Sequence, residues 1–430
     1  MTVTKTRALL VALALATSTL AITAVQAQED RPIDQSGDGS RFPRQTQKPA
    51  AKAATPATLS SAVANALNTA NGDINAKKYP DALAAVKTAE AAAKTDYEKM
   101  KVNQFLTIVL INSGDEAGAT AAAEAAADTP TDAIPAEEKL QVYGNGAALA
   151  LNAKHTDKAF AYAKQLQALN PPDARNQEII AKAYYASGDP SAVAFFQKQI
   201  DAAAAAGKLP SRESVQMLMA TQIRAKDEVG AEKTMIQSVL YFNDKEDWKQ
   251  IIDVVMSTRG IRDIDAVLLG RLLFVCGADV SKEDADLIGQ TAQKAALYGD
   301  AQAAMAKGAT LTLDPARIAS DKASLPQQIQ MGAGQNGLFN VKLAEALYGY
   351  GMYSQAEAAA RLALTKGADS SEAQMLVGMA LTMQGKYADA VTAFGQVQGG
   401  SPATPHIADL WVAYAKNKGG LVNGPATAAR

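Results

Sequence analysis

From about residue 59 onward, apolar side chains recur at i, i+3, i+4 and i+7, and Gly, Pro, Asn or Asp interrupt them roughly every 12 to 18 residues. That period is one face of an α-helix, and the interruptions are turns, so the pattern predicts a succession of paired helices. "KKYPDALAAVKTAEAAA" sets Tyr79 three residues before Ala82, and "INSGDEAGATAAAEAAADTP" puts Gly114 in a turn and Pro130 at a helix end. "KHTDKAFAYAKQLQALNPPD" supplies Ala159, Ala163, Leu166 and Pro171, and "YYASGDPSAVAFFQKQ" follows with Gly188 and Ala192. Near the C-terminus the text repeats itself. "LYGYGMYSQAEAAARLA" and "LTMQGKYADAVTAFGQV" align at a separation of 34 residues, matching Gly351 with Gly385, Tyr353 with Tyr387 and Ala356 with Ala390.

A 34-residue helix–turn–helix unit with small residues at its helix contacts resembles the tetratricopeptide repeat (TPR). The match is fullest over Ser371 to Thr404, through Gly378, Gly385, Tyr387, Ala390, Phe394 and Pro402. The preceding unit, Gly337 to Ser370, matches at Gly351, Tyr353, Ala356 and Ala363 but has Ala344 where Gly is usual. The resemblance implies an all-α, right-handed α-solenoid of antiparallel helix pairs. Along the chain the expected order is a signal peptide over 1–27, a Pro/Ala/Gln-rich linker over 28–58, and degenerate TPR-like repeats over 59–208. Divergent helical repeats over 209–336 follow, then two clear units over 337–404 and a capping helix with a flexible tail over 405–430. Between Leu209 and Leu325 the text stays helical but loses the 34-residue register, so divergent repeats and a distinct helical insert are both open there.

Composition agrees with helices that approach closely: 48% of residues are hydrophobic, only 6% are aromatic, and Ala is abundant. The first residues read as a secretory signal, with Lys5 and Arg7 before an apolar run and Val25-Gln26-Ala27 as a cleavage site. Its removal takes two basic and no acidic residues, leaving 40 basic against 44 acidic, which gives no nucleic-acid footprint. No later segment is apolar enough to span a membrane. The expected location is the periplasm. Residues 28–58 carry four prolines and few large apolar side chains, which makes them a solvated arm. A single cysteine, Cys276, leaves no internal disulfide and reads as a small buried hydrophobe.

Candidate chemistry is sparse. "MGAGQNGLFN" holds a literal GxGxxG at Gly332, Gly334 and Gly337, but a dinucleotide site needs a strand before it, and the preceding text is polar with Pro326. "LPSRESVQMLMATQ" is similar to the lytic transglycosylases at Arg212-Glu213-Ser214, where the resemblance implies Glu as general acid. The Gly-Leu-Met-Gln segment of that family is missing, and the alternative is that Ser211 caps a helix whose dipole Glu213 complements. Asp34, Ser36, Asp38 and Gly39 fall at calcium-loop positions, with Gln45 where a bidentate Glu is needed. His155 and His406 with one Cys make no zinc set without carboxylates. No cofactor or metal is expected.

Surface remains. In tetratricopeptide repeats the first helix of each pair lines the concave face. Carried over, that resemblance assigns partner binding to Glu345 and Tyr348 in one unit and to Glu372, Met375, Met379 and Met383 in the next, in register with Leu338, Val341, Gly349 and Thr382. The three methionines form one helical stripe of flexible, polarizable side chains. The same stripe would also serve as core against a neighbouring helix. The expectation is a non-catalytic periplasmic scaffold that holds a peptide segment or protein partner, in a family loosely associated with envelope assembly and polysaccharide export. The alternative is a peptidoglycan-cleaving enzyme acting through Glu213.

Overall fold

A computed structural model describes residues 58–422. The stretch expected to be a signal, nearly all of the expected arm, and the calcium-loop-like stretch lie outside the described residues, as does the end of the expected tail. The chain is all-α, with 20 helices and no strand among the described residues. It divides into two units, Met1–Ser187 and Gly188–Arg430.

The first unit contains α1 (Ser61–Asn75), α2 (Tyr79–Ala92), α3 (Asp96–Ser113), α4 (Glu116–Ala127), α5 (Ala136–Asn152), α6 (Thr156–Ala168) and α7 (Ala174–Ser187). Each helix packs on the next in chain order, and α1 also meets α3 while α5 meets α7, a solenoid-like stacking. One polar side chain ties its first two pairs together. Glu98 completes a capping box with Thr95 and also accepts the backbone N–H of Ser60, at 2.9 Å, where α1 begins.

The second unit contains α8 (Ser191–Ala205), α9 (Arg212–Arg224), α10 (Glu228–Phe242), α11 (Lys245–Met256), α12 (Asp263–Val275), α13 (Lys282–Lys294) and α14 (Tyr298–Ala306). It continues with α15 (Pro315–Gly332), α16 (Gly337–Gly349), α17 (Tyr353–Thr365), α18 (Ser370–Met383), α19 (Tyr387–Phe394) and α20 (Thr404–Lys418). Helix α20 packs on α18 and α19 and also returns to α10 and α12. Trp411 donates its indole N–H to the Leu268 carbonyl, Tyr414 its hydroxyl to that of Val275, and Asn417 its amide to those of Val239 and Leu240. These last three carbonyls sit in the last turns of α10 and α12, where helix carbonyls run short of internal partners, although that of Val239 also accepts the Asn243 N–H. The expected terminal cap is therefore also a closure of the unit on itself.

One turn recurs in both units. It joins α1 to α2, α3 to α4, α5 to α6, α9 to α10, α13 to α14, α16 to α17 and α18 to α19. In each, a left-handed residue (Lys77, Gly114, Lys154, Lys226, Ala296, Gly351 or Gly385) precedes an N–H that reaches back five residues, at 2.8–3.0 Å. Five residues after the left-handed position stands a buried alanine: Ala82, Ala119, Ala159, Ala231, Ala301, Ala356 or Ala390. The same turn thus runs through the middle of the chain, where the 34-residue register is lost. It escapes notice there because Lys and Ala, rather than Gly, hold the left-handed position. Helix pairs touch closely where expected: a Cβ on Gly378 would lie 2.5 Å from the Phe394 ring.

Candidate functional site

The face expected to hold a partner on α16 and α18 is occupied by the chain itself. Met375 and Met379 are 1% and 0% exposed, in one apolar cluster with Leu268, Leu269 and Leu272 of α12 and Trp411 of α20. Met383 is half-buried against the same cluster. The methionine stripe is core, not an open groove. The physical reason is α12, "DIDAVLLGRLLFV", which is apolar on nearly every side and is buried continuously from Asp265 to Leu273.

The polar residues of that face are also engaged from α12. Arg262 donates to the Glu372 carboxylate at 3.2 Å, and Arg271 donates to the Glu345 carbonyl at 3.2 Å while its guanidinium carbon lies 4.4 Å from the centre of the Tyr348 ring. Arg271 is held by a two-pronged pair with Asp300, at 2.8 and 2.7 Å. Burial opposes its charge, but Asp300 prevails and holds the guanidinium above its ordinary range. Glu345 is nearly inaccessible; burial raises its carboxyl against the pull of Lys342, whose ammonium donates to it at 2.8 Å. The tyrosine hydroxyl of Tyr348 is raised too, again by burial. A charged network of this kind fixes how α12 sits, although Arg271 Nη1 is itself buried without a partner. The sequence does carry a signal for it. An arginine inside "AVLLGRLLFV" cannot be buried without a carboxylate, although which carboxylate is not legible there.

On α3 of the first unit the corresponding positions differ, although on α1 Leu67 and Ile74 are buried at the first and last of them. Counting back from the left-handed turn residue, the places of Met375, Met379 and Thr382 on α18 are taken on α3 by Gln104, Ile108 and Ile111, which form one stripe. All three are half-buried rather than sealed, as are Ala148 and Leu151 at the last two of these places on α5. Ten of the fourteen residues of α18 are buried against six of the eighteen of α3, so α3 keeps a more open surface than α18; α9 of the second unit is open as well, with Ile223 exposed at the place of Thr382. Gln104 has a buried amide nitrogen with no hydrogen-bond partner. Beside it in sequence, Lys101 pairs with Glu138 of α5 at 3.0 Å, and Tyr97 donates to the same carboxylate at 3.1 Å. Burial, then Glu138, pushes the Tyr97 hydroxyl above its ordinary range.

The remaining sequence candidates resolve into local structure. Gly332 ends α15 and Gly337 opens α16, so the GxGxxG joins two helices with no strand before it. Ser211 accepts the Ser214 N–H at 3.0 Å as the N-cap of α9, and Glu213 is exposed in its first turn. His155 and His406 each meet a glutamate of their own unit, Glu124 at 2.6 Å and Glu232 at 2.5 Å. Cys276 is buried, and burial raises its thiol. Among the described residues no group of three or more His, Cys, Asp or Glu could hold a metal ion, and no helix is long and apolar enough to cross a membrane. No family model matches the chain, and the search of curated proteins returned no match.

Proposed function

We propose that this is a TPR-like, non-catalytic binding scaffold of the cell envelope, exported to the periplasm, which holds a peptide segment or partner protein on the first-helix face of its first unit. The observation that carries the reading is the contrast between equivalent positions. Met375, Met379 and Thr382 are sealed, whereas Gln104, Ile108 and Ile111 are half-open and include an amide nitrogen lacking a partner. A buried donor without an acceptor costs about 1–3 kcal/mol, and a bound carbonyl would relieve that cost. The turn shared by seven helix pairs supports kinship with the tetratricopeptide architecture, and the N-terminal signal supports export.

The test is site-specific photo-crosslinking in intact cells. A crosslinker at Ile111 should trap discrete partner bands, and one at the exposed Leu287 of α13 should not. Equal trapping at both sites, or none at Ile111, would remove the reading. Osmotic shock should release the protein beginning at Gln28, and Glu213→Gln should leave every phenotype unchanged. Lysis of cell-wall sacculi that vanishes in that variant would establish the enzyme instead.

A further inference from the structure

Helix α15 stands apart from its neighbours. It is one of the two longest helices, 18 residues, yet it buries only Leu325 and Gly332. By comparison α16 buries eight of thirteen residues, so α15 is held by far less apolar contact per turn. Pro326 lies inside it, and a proline there removes the hydrogen bond to the carbonyl four residues back, that of Lys322. Apart from a buried bond at its last residue, Gly332, which accepts from Asn340 at 3.0 Å, its polar ties are exposed or partly so. Tyr350 donates to Asp321 at 2.8 Å, and Arg317 and Lys322 lie over the Tyr298 and Tyr350 rings at 5.4 and 5.7 Å, near the outer limit of such contacts.

The seat beneath α15 is also unfavourable. Asn340 of α16 is fully buried and donates its amide to the carbonyls of Gly332 and Asn336, but its own side-chain oxygen has no donor. That oxygen faces Gly332, where a Cβ would come within 2.8 Å of it, and Leu343 and Leu362 complete the apolar floor. Lifting α15 would let water reach the unsatisfied acceptor. The segment before α15 is anchored separately, because Leu311 and Leu313 pack against a cluster on α12, α13 and α14. Bends at Asp314 and at the Ala333–Asn336 connection therefore bound a piece that can move without its neighbours.

We infer that α15 is a strap that opens as a unit, uncovering Asn340, Leu343 and Leu362 on the α16–α17 pair while the rest of the second unit stays folded. Few buried apolar contacts and largely accessible polar ties are the features of segments that open below the global unfolding free energy, and opening here breaks one buried bond, that of Asn340 to Gly332.

Native-state hydrogen exchange read by mass spectrometry on the intact purified protein tests this. Peptides within 315–332 should exchange roughly 100-fold or more faster than those of α16 and α18, with a weaker dependence on denaturant than global unfolding shows. Leu325→Ala should speed α15 further and leave α16 and α18 unchanged, and Pro326→Ala should slow it. Wild-type exchange of α15 in step with α16 and α18 would overturn the inference. So would a Leu325→Ala variant that accelerates all three together.

Discussion

Lys77, Lys154, Lys226 and Ala296 hold left-handed backbone angles, with φ between 58° and 62°, in turns where Gly114, Gly351 and Gly385 do the same work elsewhere. For a residue with a Cβ that conformation costs about 1–2 kcal/mol. Glycine removes the cost but adds freedom to the unfolded chain, so the net gain is smaller. Ala296→Gly and Lys154→Gly should each raise stability by about 0.5–1 kcal/mol, seen as a higher denaturation midpoint at unchanged slope. A drop in either would mean that these side chains hold the turn by contacts of their own. The buried alanine five residues later is the opposite case. Ala390 is fully buried, so Ala390→Arg both overpacks and buries a charge, at a cost on the order of 2–4 kcal/mol by thermal melt. Glu98 links residue chemistry to pH. Burial alone would raise its carboxyl, but hydrogen bonds from Ser60, Lys94 and Thr95 prevail and bring it down to about 2. Because the folded value is depressed, its contribution is complete above the ordinary carboxylate range and is lost as pH falls toward about 2. Glu98→Gln should cost on the order of 2 kcal/mol near neutral pH, and the difference from wild type should shrink in acid.

At the scale of elements, α12 decides how the second unit is built. Its apolar sides bury the methionine stripe, and its Arg271 together with its N-cap residue Arg262 binds the polar rim of the same face. Met379→Gln should therefore lose about 2–4 kcal/mol, the loss of a packed side chain together with a buried amide left unpaired. A variant as stable as wild type would reopen the groove on α18. The pair between α12 and α14 gives a sharper test. Asp300→Ala strands the buried Arg271 guanidinium and should cost about 3–5 kcal/mol, whereas the double change Arg271→Met, Asp300→Leu should be much milder, because a buried pair is expensive mainly when broken. Equal losses in the single and double variants would show that the guanidinium's contacts with Tyr348 and the Glu345 carbonyl matter more than the ion pair.

For the whole molecule, two units predict two unfolding events. The second depends on its C-terminus, because α20 supplies Trp411 to the core and Asn417 to the end of α10. A chain stopped before Thr404 should lose the transition of the second unit and keep that of the first, by differential scanning calorimetry together with far-ultraviolet circular dichroism. A single transition in the intact protein, abolished altogether by the truncation, would mean that the units do not fold separately.

The helical period, the turn residues and the alanine content were enough to fix an all-α chain of helix pairs, because those signals act over three to five residues and are written locally. Gly351, Gly385, Ala356 and Ala390 were legible for the same reason: each is demanded by its own turn. What packs on a helix is not local. The stripe of Met375, Met379 and Met383 has the same spacing whether it faces a partner or a core, and only the return of α12 and α20 decided for the core. The pairing of Arg271 with Asp300, and of Lys101 with Glu138, joins residues 29 and 37 apart, over which the sequence carries a requirement for a partner but not its identity. The irregular spacing of the turns hid their recurrence, since Lys and Ala adopt the left-handed angle only where surrounding helices compensate its cost. Tertiary structure alone showed that the first-helix face is sealed on α16 and α18 and half-open on α3, because burial depends on which helices return to cover a surface.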